Sequence, residues 1–293
     1  MTLQQAVDDF LLEQRVRGNT DKTLDYYVGS LKKFAVFFGT DIALDRISHA
    51  ILRQYTVSLQ DSGLASTSIQ TYIRALRAFL TFCYTEEYLS ENLSERFRLP
   101  KSKRPQIDIL TDEECNRLLM HFNLKYFAQL RDYCMCALML DCGLRINEVV
   151  TLRIEYLHLQ DGYLLVDGKG NKQRSVPIGY CTRRTLARYL RRRPAMSDAT
   201  YVFVTARGLP VHQSTLKQLF RKLKDRCAIP RIHPHLLRHT FATRFLENGG
   251  DVFSLQQILG HTSLEMVKKY VHLTSRKTIK NFPNFSPLDK MHK

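Results

Sequence analysis

One tyrosine and a set of cations stand at spacings that suit nucleophilic attack on a phosphodiester. Tyr270 lies in KKYVH, His261 in QILGHTS, His235 and Arg238 in HPHLLRHTFATRF, Arg145 in CGLRINEVVTLR, and Lys169 in DGKGNKQRSV. A phenol that attacks phosphorus drives charge onto the phosphate oxygens, and cations placed around them stabilise that charge. Arginine suits this because its planar fork can hold two phosphate oxygens at once. His235 and Arg238, at i and i+3, share one face of a helix. His235 can donate to the same phosphate or shuttle a proton. Arg145 follows Gly143 at what reads as a helix start, where free N–H groups already favour anions, and Glu148 is placed to orient its guanidinium. Lys169 sits at the tip of GKGNK, where Gly168 and Gly170 let the backbone turn and approach a ligand closely. Lys172 and Arg174, just beyond, read as phosphate contacts. Lys268 and Lys269 keep the surroundings of Tyr270 positive, and nearby cations favour the phenolate of a group that ordinarily titrates near about 10.

Blander readings compete. The chain has 14 tyrosines, so position rather than residue type singles out Tyr270. His233, His235 and His239 crowd together, and His235 and His239 have the i, i+4 spacing of zinc ligands. Yet the turn reads HLLRH and lacks the glutamate of HExxH, so no metal is expected.

These residues need a scaffold that brings distant segments together. At 293 residues the chain is long enough for two domains, each with a core, and its 44% hydrophobic and 25% charged content fits a globular protein. No apolar run approaches the roughly 20 residues of a transmembrane helix, and MTLQQAVDDFLLEQ lacks the apolar core of a signal peptide, so a cytoplasmic protein is expected. The 7 cysteines are scattered and odd in number, which fits buried, reduced thiols. The formal charge of +16 points to a polyanionic partner, nucleic acid above all.

Apolar periodicity predicts a helix over 3–16 and another from Asp21 to Phe38, stopped by Gly39. A third is centred on Ile51–Leu59, and a fourth, capped by Ser66 or Thr67, runs to Cys83. Four such helices make a bundle. Pro100 and Pro105 then forbid a continuous helix, and Arg96, Arg98, Lys101, Lys103 and Arg104 make this stretch a basic linker suited to lie along phosphates. TDEE at Thr111–Glu114 is a capping box that opens a second domain. An apolar helix over about 126–141 follows. A short helix from Arg145, a hairpin (162–167 and 173–178), helices over 180–192 and 213–227, a strand at 201–204, and helices over 235–247, 252–259 and 262–273 complete the reading.

The order of the motifs, GLRxxE, GKGNKxR, HxLRHxFAT, LGHxS and a following tyrosine, resembles the tyrosine recombinase (phage integrase) family, and its wording is nearest to Xer-like and mobile-element members. The resemblance spans essentially the whole chain. It implies a mainly α chain with a small β-hairpin (α+β): a four-helix SAM-like core-binding domain over 1–94, the linker over 95–108, the catalytic domain over 109–275, and a tail over 276–293 that contacts a neighbouring protomer. It makes Arg145 and Arg238 the phosphate clamps, His235 and His261 the two histidines, Lys169 the general acid and Tyr270 the nucleophile. Lys101, Lys103, Arg104, Lys172 and Arg174 become DNA contacts. MVKKY departs from the threonine-rich turn of many relatives.

The implied reaction is cutting and rejoining of duplex DNA through a 3′-phosphotyrosine, with no cofactor, because guanidinium groups supply the charge a metal would provide. The implied partners are double-stranded DNA with inverted-repeat core sites, gripped between the two domains, and other copies of the chain as a dimer on each site and a tetramer in the synapse. There is also room for an accessory DNA-bending protein. The bundle begins at the first residue, so no arm-binding domain is expected ahead of it. A type IB topoisomerase-like nicking-closing enzyme and a non-catalytic DNA-binding relative remain alternatives. The target sequence and the biological task are not legible.

Overall fold

A computed structural model describes residues 1–101, 108–168, 173–194, 200–260 and Tyr270. The chain divides into two compact units, Met1–Pro105 and Gln106–Lys293.

The first unit is helical. α1 (Leu3–Val16) starts at a capping box in which Thr2 and Gln5 satisfy each other's backbone donors. α2 (Asp21–Phe38) ends at Gly39, whose φ of 103° an L side chain rarely adopts. α3 is His49–Asp61 and α4 Ser66–Thr85, followed by one turn, α5 (Leu93–Arg96). Ser66 is not a cap: it is already the first helical residue, and the cap position falls to Ala65, which has no side-chain acceptor to offer. The apolar stripes meet in one core in which Phe10 lies edge-on to Phe79, Tyr27 and Phe82, and Phe34 packs on Tyr55 and Phe38. Such ring pairs add about 0.5–1.5 kcal/mol each beyond the area they bury.

The second unit starts with α6 (Asp112–Met120), where Thr111 and Glu114 form the expected box. α7 (Phe127–Asp141) runs through the core with Leu130, Cys134, Met135, Cys136 and Leu138 buried. Burial pushes the Cys134 thiol up to about 12, which leaves it a neutral packing group. α8 (Ile146–Val150) is short. A three-stranded antiparallel sheet follows in the order β1 (Leu157–His158), β2 (Tyr163–Asp167), β3 (Gln173–Pro177). The hairpin was expected and β1 was not, because two residues carry no period. Tyr201–Val204 does not form a strand. Its backbone divides between Leu152 on one side and a local turn through Leu209 and Val211 on the other, leaving isolated bridges only. α9 (Tyr180–Leu190), α10 (Gln213–Arg226), α11 (Pro234–Glu247) and α12 (Val252–Leu259) close the unit. α11 packs on α7 and α12, and α12 lies against β3. The expected helix over 262–273 lies outside the described residues except for Tyr270, which is helical, as do the tail over 276–293 and residues 102–107 of the linker.

Replacing Phe79, fully buried at the centre of the bundle, by alanine should cost about 3–5 kcal/mol. Urea denaturation of the full chain checks this, and a loss below about 1 kcal/mol would show that the bundle is not organised around this ring.

Candidate active site

Two irregular turns set the site. At the first, α7 ends and the chain reverses at Gly143, whose φ is +66°. A Cβ there would sit 2.4 Å from a Phe241 ring carbon and 2.9 Å from Leu259, so only glycine permits this approach to α11 and α12. Leu144, fully buried, anchors the turn, and Arg145 becomes the residue that caps α8. At the second, α12 ends on Gly260 in the left-handed region with φ +62°, where a Cβ would press at 3.0 Å on the Arg174 stem.

Between these turns lies a buried carboxylate. Glu148 Oε2 accepts the Arg145 backbone N–H at 2.8 Å, and Oε1 accepts from the Arg145 guanidinium at 2.7 Å. Arg174, reaching in from β3, donates to both Glu148 oxygens at 3.0 and 2.9 Å, and its Nε donates to the Ile258 carbonyl at 2.7 Å. Arg238 completes the group with an Nη1 atom 3.9 Å from Glu148, an ion pair too long for a hydrogen bond. Burial pushes the Glu148 carboxyl upward, but the Arg174 hydrogen bonds and charge, with those of Arg145, outweigh it and hold the group below the usual carboxylate range.

Arg238 is only 4% exposed. Its Nη1 donates to the Gly143 carbonyl at 2.5 Å and its Nη2 to the Leu259 carbonyl at 2.8 Å, so both turns converge on it. Burial lowers its pKa to about 10, with Arg145 and Arg174 adding to the fall and Glu148 and Tyr270 opposing it. It stays charged at neutral pH.

α11 presents the remaining side chains. His233 caps it by accepting the Leu236 N–H on Nδ1 at 3.1 Å, and Pro234 fills the first turn. That bond commits the first of the three clustered histidines to the helix end. His235 is exposed on the first turn. One turn on, the half-buried His239 places Nδ1 2.6 Å from the Tyr270 hydroxyl. Tyr270 is 1% exposed. Its pKa is raised, not lowered: burial dominates, although Arg238 and Arg145 pull the other way. Lys268 and Lys269, expected to keep this region positive, lie outside the described residues. Arg238 and Arg145 supply cations near the phenol, but the loss of water around it outweighs them.

The structure thus brings Arg145, Arg238 and Tyr270 together and puts His235 on the same helix. Lys101 is exposed. Lys169, Lys172, His261, Lys103 and Arg104 lie outside the described residues. Arg174, expected on phosphate, instead spends its donors on Glu148 and Ile258. Sequence reasoning anticipated Glu148 beside Arg145 but not its bonds to Arg174. It weighed His239 only as a zinc ligand, although the i, i+4 spacing that raised zinc also sets it on the His235 face.

The phage integrase family model matches residues 108–277, and a phage integrase SAM-like domain model matches residues 3–99. A tyrosine recombinase of Pseudothermotoga lettingae is 35% identical over 93% of this chain and 94% of its own length. The tyrosine recombinase XerD of Oceanobacillus iheyensis is 30% identical over 97% of this chain and 99% of its own. Among solved structures, the XerA recombinase is 26% identical, covers 97% of this chain and 99% of its own, and superposes with a TM-score of 0.54. The Tn1549 transposon integrase in complex with a circular intermediate DNA reaches 0.77 at 18% identity, over 96% of this chain and 99% of its own, a likeness of fold.

Glu148→Gln should cost about 3–5 kcal/mol of stability, because it strands buried guanidinium groups. The depressed Glu148 pKa means that its stabilisation is present above the unfolded value, about 4.3, and is lost as pH falls through the folded value. The wild type should therefore lose stability on acidification below about pH 4.3, and Glu148→Gln should flatten that limb. Denaturation measured between pH 3 and 7 checks both, and parallel curves for the two proteins would contradict the assignment.

Proposed function

The chain belongs to the phage integrase family and is a site-specific DNA recombinase, an enzyme that transfers DNA strands; we propose that Tyr270 is its nucleophile and that Arg145 and Arg238 clamp the scissile phosphate. The observation that carries this reading is the convergence of one buried phenol and two guanidinium groups within electrostatic reach of each other.

The Tyr270 oxygen attacks phosphorus, and the bond to the 5′-oxygen breaks. A 3′-phosphotyrosine and a free 5′-hydroxyl remain. Arg145 and Arg238 meet the charge on the phosphate oxygens with forks already fixed by Glu148 and by the Gly143 and Leu259 carbonyls, so little reorganisation is needed. His235, exposed at the start of α11, adds a donor to the same phosphate. Lys169 and His261 take the general-acid and second-histidine roles on the strength of their motifs, GKGNK and LGH. The 5′-hydroxyl of a partner duplex then attacks the phosphotyrosine, so bond energy is conserved through the exchange. Lys101, Lys103, Arg104 and Lys172 follow the DNA backbone.

The proposed assembly is a dimer on inverted half-sites and a tetramer across two sites, with the tail after about residue 276 docking on a neighbouring copy. An accessory DNA-bending protein fits the same scheme. Among the described residues no helix is long and apolar enough to cross a membrane, and the proposed compartment is the cytoplasm.

A suicide duplex nicked beside the cleavage position tests the chemistry. Wild type should accumulate a covalent protein–DNA adduct, Tyr270→Phe should form none, and Arg145→Lys should slow adduct formation by about 10²-fold or more. An adduct formed by Tyr270→Phe would sink the assignment. Relaxation of supercoils by a monomer that pairs no sites would favour a topoisomerase instead.

A further inference from the structure

A nucleophilic tyrosine must lose a proton, and the site shows what stands next to that proton. A phenol titrating near about 10 is almost wholly neutral at pH 7. Burial of Tyr270 makes ionisation harder still, and the pull of Arg238 and Arg145 does not overcome it. These arginines stabilise a phenolate once formed. Neither can accept a proton, because a guanidinium has no acceptor. The atom 2.6 Å from the phenolic oxygen is His239 Nδ1, within the reach a general base needs. A neutral imidazole, unlike a guanidinium, keeps one ring nitrogen as an acceptor. The rings lie 5.7 Å apart between centroids at an angle of 49°, which lets an in-plane nitrogen meet the hydroxyl edge-on. Among the described residues the charged groups that act on the Tyr270 phenol are Arg238 on α11 and Arg145 at the start of α8, and His235 stands one turn back from His239 on α11. Behind Arg238 lie Glu148 of α8 and Arg174 of β3.

Resting on the assignment of Tyr270 as nucleophile, we propose that His239 is a catalytic residue of this recombinase: its Nδ1, 2.6 Å from the hydroxyl, takes the phenolic proton as Tyr270 attacks and returns it on rejoining. For Nδ1 to accept, the ring carries its proton on Nε2. In the forward step the Tyr270 O–H bond breaks and an N–H bond forms on His239. The phenolate oxygen bonds to phosphorus, and the bond from phosphorus to the 5′-oxygen breaks with its electron pair leaving on that oxygen. The departing oxygen is protonated by the general acid, assigned by motif to Lys169. On rejoining, an incoming 5′-hydroxyl gives up its proton to that same group, attacks phosphorus and expels the phenolate, which recovers its proton from His239. Protons and electrons balance, and no co-reactant is needed. The exposed His235, one turn back, is left to the phosphate.

The experiment is single-turnover adduct formation by the full chain on the nicked suicide duplex between pH 5.5 and 9, with duplex binding measured in parallel. Asparagine can place an oxygen where Nδ1 stood, so His239→Asn keeps a hydrogen-bond acceptor for the phenol but provides no base. We expect His239→Asn and His239→Ala to bind duplex like wild type, to form adduct about 10²–10⁴-fold more slowly, and to lose the acidic inflection of the wild-type pH profile. Added imidazole should restore part of the rate to His239→Ala. A substrate whose 5′-bridging oxygen is sulfur, a leaving group that needs no acid, should leave the defect in place. A wild-type rate and pH profile in His239→Asn would overturn the proposal and leave a structural hydrogen bond. So would faster cleavage by either variant, which would make the bond a latch, or full rescue by the sulfur substrate, which would move His239 to the leaving group. Absence of adduct with wild type itself would instead bring down the Tyr270 assignment on which the proposal stands.

Discussion

The catalytic half of this protein is organised around one carboxylate taken out of water. Glu148 is almost fully buried, and a lone ionised carboxyl there would cost several kcal/mol. It is held charged because Arg145 and Arg174 approach it with short, charge-assisted hydrogen bonds and Arg238 adds its charge at longer range. Those residues come from the start of α8, from β3 and from α11, so satisfying Glu148 fixes three elements relative to one another. Removing the carboxylate would leave the guanidinium groups of Arg174 and Arg238 as like charges with little water to screen them.

That arrangement leaves a positive surplus, which is what a site for a phosphodiester needs. The guanidinium groups are oriented before any DNA arrives: Arg238 by two carbonyls at the ends of α7 and α12, Arg145 by the carboxylate and by its place at a helix start. The two glycines at these ends are there for space. A Cβ on Gly143 would collide with Phe241, and one on Gly260 would press on Arg174. The same closeness that orients the arginines dries the site, and a dry site raises the pKa of Tyr270 although two cations surround it. For Tyr270 as the proposed nucleophile, electrostatic stabilisation of the product and ionisation of the phenol are thus in tension. A hydrogen-bonded imidazole beside the phenol relieves it by accepting the proton locally.

Much of the fold could be read from one chain because its signals are local. The 3.6-residue stripe in α1 to α4, the TDEE box at α6, Gly39 as a stop and the two arms of the β2–β3 hairpin each act within a few residues. The reading failed where partners are distant. Tyr201–Val204 has strand-like composition, but its hydrogen bonds are shared with Leu152 and with a local turn, so no ladder forms. β1 is only two residues long and exists because β2 lies beside it. Ser66 has the right side chain for a cap, yet the helix begins at it and not after it.

The site divides in the same way. Residue types and motif order set out the expected chemistry: a phenol, arginine forks, histidines, a lysine on a glycine-flanked loop, and a net charge of +16 that calls for a polyanion. None of this depends on coordinates, because it follows from what each side chain can donate, accept or hold. Only the tertiary structure decided which cation serves which anion. Arg174 looks like a surface phosphate ligand in QRSV and is instead turned inward onto Glu148, which lies in another element. His239, which the spacing in HLLRH offered only as a zinc ligand, is instead 2.6 Å from the Tyr270 hydroxyl. Both outcomes turn on burial and on contacts across long stretches of chain, and a sequence carries no measure of either until the chain has closed on itself.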